Sequence, residues 1–524
     1  MHIWICKLQP RGFGKMHGTN HHDQLCWFCQ THGVNMQIIV NQFNNYKNID
    51  MKRTLFFLTF CLVFSQGYSG ELTSRLDSIL DLYHTKNNFN GSVLIAEHGE
   101  VLYKNGFGYA NIEHEIPNTP ENKYRIASIS KQFTSMLVLQ MVEKGKMSLD
   151  STIRTYIPEY PEPQGDKIAI HHLLSHTSGM PHYGGIPGFF EKYGRQHFTH
   201  REFVELFWDL DLIYKPGEEY SYSSFGYYLL GYILERVSGQ DYASLLDEQI
   251  LEPLGMENTG IEDHRRILNK RSYGYNHLLD YYERAQFRDL STALATGDMY
   301  TTPLDMVRWE GALLNNTLLD AELQDLLFEP NLEGYGYGFR MGYEKLNEED
   351  SVYYHQHTGG TNGFTSISTR LPGDEYYILV FCNTRPGEIR SINHNIINLL
   401  YEYEVDFSPS VPIAAARILE RESLQESLNF IKEKASNENE DDGVEINDIY
   451  RIGSDLIHLD RVDEAIEFYK LGVDLFPESA RAHVMLGDAY HSAEKKQKAI
   501  QCYAQALLLE PEDDRALERL KDIE

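Results

Sequence analysis

The sequence predicts an α+β domain followed by an all-α region, and three observations carry that division. Short apolar runs bounded by turn residues, the mark of strands, gather at residues 92–109 and 351–383. Between them stand helical periodicities, the clearest being Ile129, Phe133, Met136, Leu137 and Met141 within 128–143. Beyond residue 446 the chain repeats at a spacing of 34, pairing Gly453 with Gly487, Ala465 with Ala499, Tyr469 with Tyr503 and Pro477 with Pro511.

A chain of 524 residues has room for two or three domains, and 42% hydrophobic with 12% aromatic residues is ample for packed cores. Its formal charge of −30 argues against nucleic acid and anionic membrane surfaces as partners. At the start, Met51-Lys52-Arg53 precede the apolar run 55–64 and the small residues Ser65 and Gly67, the layout of a signal peptide over 51–67. Translation is then expected to begin at Met51, with residues 1–50 expected to be a non-native upstream extension. The apolar run is too short for a comfortable span, so no stable membrane span is expected after cleavage. The mature protein is expected to be secreted across the inner membrane of a bacterium, into the periplasm or beyond. His21, His22, Cys26, Cys29 and His32 lie ahead of that start and are set aside as metal ligands. Cys382 and Cys502 remain, in what read as different domains, so no disulfide framework exists.

A helix is expected over 71–86, then a hairpin of strands 92–97 and 101–109 around His98-Gly99-Glu100. The helix 128–143 opens on Ser128-Ile129-Ser130-Lys131. Residues three apart share a helix face, so the Lys131 amine can reach the Ser128 hydroxyl, and the helix start favours negative charge on that oxygen. Alone, this tetrapeptide also reads as a capping serine with a solvated lysine. Two later stretches bear on the choice: Tyr222-Ser223-Ser224, and His357-Thr358-Gly359-Gly360.

In that order the three stretches resemble the motifs of the serine β-lactamase and penicillin-binding-protein superfamily, in its class C-like branch with D-alanyl-D-alanine carboxypeptidases and esterases. Residues 170–180 and 252–259 look like the family as well, and the resemblance covers roughly 75–400. It implies an antiparallel sheet flanked by helices plus a helical subdomain over 71–405. It also implies a serine hydrolase acting through an acyl-enzyme, with Ser128 as nucleophile and Lys131 and Tyr222 handling protons. By the same resemblance Tyr222 protonates the leaving group and later activates water; which of Lys131 and Tyr222 is the base stays open. The backbone N–H groups of Ser128 and Gly360 would form the oxyanion site, with Ser224, His357, Thr358 and Gly359 on the substrate. No cofactor is implied. Ser224 stands where an asparagine is frequent, and His357 where lysine is common in penicillin-cleaving members. A histidine is mostly neutral above about pH 6.5. Both departures tilt the expected substrate from a β-lactam toward an ester, an amide or a D-amino-acid peptide.

His171, His172 and His176 lack the completing carboxylate pattern of a zinc site and read as packing and rim structure, and His355 and His357, followed by Thr-Gly-Gly rather than by an aspartate and another histidine, are discounted as metal ligands. Residues 181–214, rich in glycine and aromatics, are expected to shape the substrate cleft. Strands 351–357, 364–371 and 376–383, with turns at Gly359-Gly360 and Pro372-Gly373, and a helix over 390–401 close the domain.

Residues 406–445 read as a helical linker region with an acidic run at 437–442, and 446–524 resemble two tetratricopeptide repeats. About three such repeats are usually needed for stability, so the helical stretch 412–434 is expected to supply the missing packing partner. The repeats offer a concave surface to a protein partner; a stabilising appendage is the equal alternative. The competing functional class is a non-catalytic penicillin-binding-like sensor or scaffold that recruits partners through the repeats. Ser128, Lys131 and Tyr222 together speak for the enzyme.

Overall fold

Apolar runs with no polar alternation need cover on both faces, and this rule places the centre of the domain. The computed structural model describes residues 70–186, 188–405, 407–436 and 443–523. The expected upstream extension, signal peptide and acidic run 437–442 lie outside the described residues. A helix covers residues 70–87. Six strands then form one antiparallel sheet: β1 Gly91–Glu97, β2 Glu100–Phe107, β3 Arg340–Lys345, β4 Ser351–Thr361, β5 Phe364–Leu371 and β6 Tyr376–Cys382. Their order across the sheet is β3-β4-β5-β6-β1-β2, so the hairpin β1-β2 joins the C-terminal strands through β1 and β6, with Val93 opposite Val380. Val93 to Ala96 and Ile378 to Phe381 are buried. His98 and Gly99 turn the β1-β2 hairpin with φ of 51° and 78°, as a two-residue loop requires.

Helices build the rest of the frame: α1 Ser130–Glu143 and α2 Ile170–Leu174 both pack on α3 Ser224–Ser238, while α4 Pro303–Leu314 and α5 Ile389–Leu400 pack on the sheet. On one side Leu94, Ala96, Leu379 and Phe381 share a core with Phe133 and Met136 of α1 and with Met306 and Trp309 of α4. Phe133 and Trp309 stack with centroids 4.2 Å apart, and the Trp309 indole donates to Gln132 Oε1. Every residue of α1 from Ser130 to Met141 is buried. The helix is a central post, buried on all sides along that stretch, and Ser128 precedes it in a short 3₁₀ turn, Ala127–Ile129, rather than opening it. α3 begins at Ser224, directly after Tyr222 and Ser223. No described helix is long and apolar enough to cross a membrane.

One expected turn is corrected. Gly359 and Gly360 lie inside β4, with Gly360 opposite Thr365, and the chain turns instead at Asn362-Gly363, where φ of Gly363 is 73°. An Asn-Gly pair between two strands is the stronger hairpin signal. The glycines have other reasons. A β-carbon on Gly359 would collide with the Ile126 carbonyl oxygen and with Ser366 Oγ, whereas one on Gly360 would meet nothing within 4 Å.

The C-terminal region comprises α6 Val411–Arg421, α7 Leu424–Ser436, α8 Ile446–His458, α9 Val462–Leu475, α10 Ala480–Ser492, α11 Lys496–Leu509 and α12 Asp514–Ile523. The 34-residue period becomes a repeated contact: Gly453 lies against the Tyr469 ring, and Gly487 against the Tyr503 ring. Ala415, Leu419, Leu428 and Ile431 of α6 and α7 enter the same core as the repeats. Polar contacts tie this region to the sheet domain: Asp455 accepts from the Leu279 amide at 3.1 Å, and Arg417 and Arg421 pair with Asp280.

Overpacking a tight backbone contact costs about 1–3 kcal/mol, and an exposed open position costs less than about 0.5 kcal/mol. Gly359→Ala is therefore expected to lower the denaturation midpoint clearly and Gly360→Ala hardly at all. Urea unfolding followed by tryptophan fluorescence checks the contrast, and equal losses would contradict it.

Candidate active site

Ser128 sits in a turn that is pinned on every side. Ile126 donates its N–H to the Met299 carbonyl at 3.2 Å, its own carbonyl accepts from Ser366 Oγ at 2.9 Å, and Ser130 Oγ donates to the Ala127 carbonyl at 2.6 Å. Ala127 itself holds φ of 47°, an uncommon conformation for a residue with a β-carbon and one that persists only where surroundings enforce it. The result is a half-buried Ser128 at the head of a fully buried helix.

Lys131, 0% exposed, brings its Nζ to 3.1 Å from Ser128 Oγ and donates to the Thr296 carbonyl at 2.9 Å. Burial pushes its amine down to about 7, Arg288 adds to the effect, and the Asp298 carboxylate opposes it. A neutral amine in hydrogen-bond range of a hydroxyl can take its proton. Asp298 is also buried, which pushes its carboxyl up to about 7.

Tyr222 packs on the same amine, with Nζ 5.0 Å from the ring centroid. Burial holds its phenol well above the ordinary value, and a hydrogen bond with Ser128 opposes that only in part. Its loop hangs from His176: the Ser221 N–H donates to the His176 carbonyl at 3.0 Å and the Ser223 N–H to His176 Nδ1 at 3.2 Å. The buried His176 ring lies 4.3 Å from that of Tyr222, so this histidine packs and positions, in keeping with its sequence context.

His357 is buried and neutral, held down to about 3 by burial and by the nearby Lys131. Its Nδ1–H donates to the Thr358 carbonyl at 2.7 Å, which leaves Nε2 to accept from the Tyr335 hydroxyl at 2.9 Å. β3 pairs with β4 only as far as Gln356, opposite Arg340. From His357 onward that edge of β4 faces the cleft, and Thr358 and Gly360 line it while Gly359 packs beneath the serine turn. His355, one pleat away, stacks on Phe328 instead. Ser224, 1% exposed, accepts from His182 Nε2–H at 3.4 Å, since His182 Nδ1 is occupied by the Gly184 N–H.

Ser128, Tyr222, Ser224, His357, Thr358 and Gly360 thus line one cleft of about 770 Å³, with Lys131 beneath it. Residues 181–214 contribute His182, Tyr183, Gly184 and Phe190 to its wall. Of three further lining residues, His182, Tyr335 and Arg288, sequence reasoning placed the first only within the segment expected to shape the cleft and missed the other two. Alternating aromatics and glycines in Tyr335-Gly336-Tyr337-Gly338-Phe339 are a usable signal for the second: Gly338, with φ of 80°, packs on the backbone of Lys131 and Gln132. Arg288 has no signal in its own stretch.

Comparisons with known proteins agree with this geometry. A family model described as beta-lactamase matches residues 79–401, and one described as tetratricopeptide repeat matches 480–513. The chain is 29% identical over 316 residues to a penicillin-binding protein of Bacillus subtilis, covering 56% of this chain and 68% of that protein. Its structure is similar to the octameric penicillin-binding protein homologue from Pyrococcus abyssi, at 26% identity and a TM-score of 0.56, covering 66% of this chain and 81% of that one. It shares its fold with the D-amino acid amidase from Ochrobactrum anthropi at 24% identity and a TM-score of 0.55, covering 63% and 99% of the two chains. A buried lysine under a serine, in a cleft between an antiparallel sheet and helices, and a family match over most of that domain lead to one assignment: the chain belongs to the beta-lactamase family and carries tetratricopeptide repeat sequence at its C-terminus.

Proposed function

We propose that the chain is an exported serine hydrolase that forms an acyl-enzyme on Ser128 and cleaves an ester, an amide or a D-amino-acid peptide. The observation that carries this reading is the buried Lys131 amine 3.1 Å from Ser128 Oγ. Near neutral pH the amine is partly unprotonated while the Tyr222 phenol keeps its proton, which favours Lys131 as the base. Ser128 Oγ bonds to the substrate carbonyl carbon as its proton passes to Lys131. The N–H groups of Ser128 and Gly360 would hold the oxygen that gains charge. Collapse of the intermediate breaks the bond to the leaving group, which takes a proton from Tyr222; Lys131 returns its proton to the phenolate. Water then repeats the sequence on the acyl-enzyme and releases an acid and the free serine.

His357 and Ser224 support a substrate other than a β-lactam, because the neutral imidazole supplies no fixed cation and the short Ser224 hydroxyl supplies no amide donor. Export rests on the layout of residues 51–67. The repeats are offered as a docking surface for a protein partner.

The protein from Tyr68 onward, mixed separately with p-nitrophenyl esters and a fluorescent penicillin and followed by nitrophenol release and intact mass, is expected to turn over ester without a lasting penicillin adduct. Ser128→Ala should lose turnover with its circular dichroism unchanged. A lasting adduct on Ser128 would point to a penicillin-binding peptidase, and silence with both probes to the scaffold reading.

Labelling of Ser128 by an uncharged fluorophosphonate is expected to quicken as pH rises through about 7 and then level, since below that value Lys131 is an ammonium and accepts no proton. Asp298→Asn removes a carboxylate that favours the ammonium, so the midpoint should move down. Lys131→Ala should slow labelling by about 10²–10⁴. A flat profile between pH 6 and 9 would count against Lys131 as the base.

A further inference from the structure

The cleft wall carries a charge to which the proposed chemistry assigns no contact with the substrate. Arg288 is 9% exposed and forms no ion pair among the described residues. Its guanidinium stacks 4.5 Å from the Phe190 ring centroid and 5.4 Å from that of Tyr183, and Nε donates to Thr292 Oγ1 at 3.2 Å. Nη2 is buried and has no hydrogen-bond partner among the described residues. An unpaired buried cation is costly, and a guanidinium stacked by its faces keeps its edge free for a bidentate oxyanion.

The surroundings favour an anion. Arg340, Arg385 and Arg390 line the same cleft and, among the described residues, no aspartate or glutamate does, in a protein of formal charge −30. Arg340 is engaged by the Tyr220 hydroxyl and the Glu333 carbonyl, whereas Arg288 Nη2 has no partner among the described residues. Position selects the half of the substrate. Tyr222, the proposed donor to the leaving group, packs against His176, Tyr335 and His357, with ring centroids 4.3, 6.4 and 6.2 Å away. Arg288 stacks instead on Tyr183 and Phe190, and His182 stands between the two groups, 5.7 Å from Tyr222 and 4.5 Å from Tyr183.

Resting on the serine-hydrolase reading, we propose that Arg288 forms an anion subsite that selects substrates whose acyl part carries a carboxylate. Mono-p-nitrophenyl adipate and p-nitrophenyl hexanoate share a six-carbon acyl chain and differ in that charge. The intact protein is expected to favour the adipate by about tenfold or more in kcat/KM, as a charge-assisted contact requires. Arg288→Gln should bring the ratio to within about twofold of unity, and Arg288→Lys should restore part of it, because a point charge replaces half of the fork. Taking the ratio cancels any common loss from altered packing. Turnover of both esters at equal efficiency overturns the subsite and leaves the hydrolase reading standing. A preference that survives Arg288→Gln assigns it to the other guanidiniums and also overturns the proposal. Turnover of neither ester removes the hydrolase reading and the subsite with it.

Discussion

A buried amine with a hydroxyl 3.1 Å away is the constraint on which the rest of this domain depends. A lysine in water is a cation; buried, its neutral form becomes populated near pH 7. Holding it there requires a helix surrounded by protein, and α1 is buried from Ser130 to Met141. The same demand explains two glycines far apart in sequence. Gly359 lets β4 approach the serine turn and Gly338 lets the chain pass over the backbone of Lys131. The Thr296 carbonyl gives the buried amine an acceptor besides Ser128.

Charge is distributed around this amine with a consistent sense. The cleft histidines His182 and His357, and His176 packed behind Tyr222, are all held neutral by burial, and each lies in the field of Lys131. Positive charge is left to guanidiniums at the wall and rim. Such a cleft presents fixed cations to a substrate while keeping the reacting centre free of permanent charge.

Much of this is legible in the amino-acid sequence. Ser128 and Lys131 lie within one helical turn, so their meeting follows from local geometry, and the strands 364–371 and 376–382 announce themselves by composition and turn residues. The repeat period maps onto contacts between a glycine and a tyrosine ring that recur 34 residues apart. The features that sequence does not disclose depend on long-range approach. Gly359-Gly360 resembles a turn until the paired strand shows that the register runs through it to Asn362-Gly363. Arg288 and His182 reach the cleft from a loop before residue 290 and a loop after α2, and no spacing rule links either to Ser128.

The direct test is the charge of Lys131 itself. In protein grown with lysine labelled at the ε-carbon and followed by NMR across pH, one resonance is expected to titrate near pH 7 and to disappear in Lys131→Met. If every lysine resonance titrates above pH 9, the amine beneath Ser128 is an ammonium at working pH and cannot serve as the base.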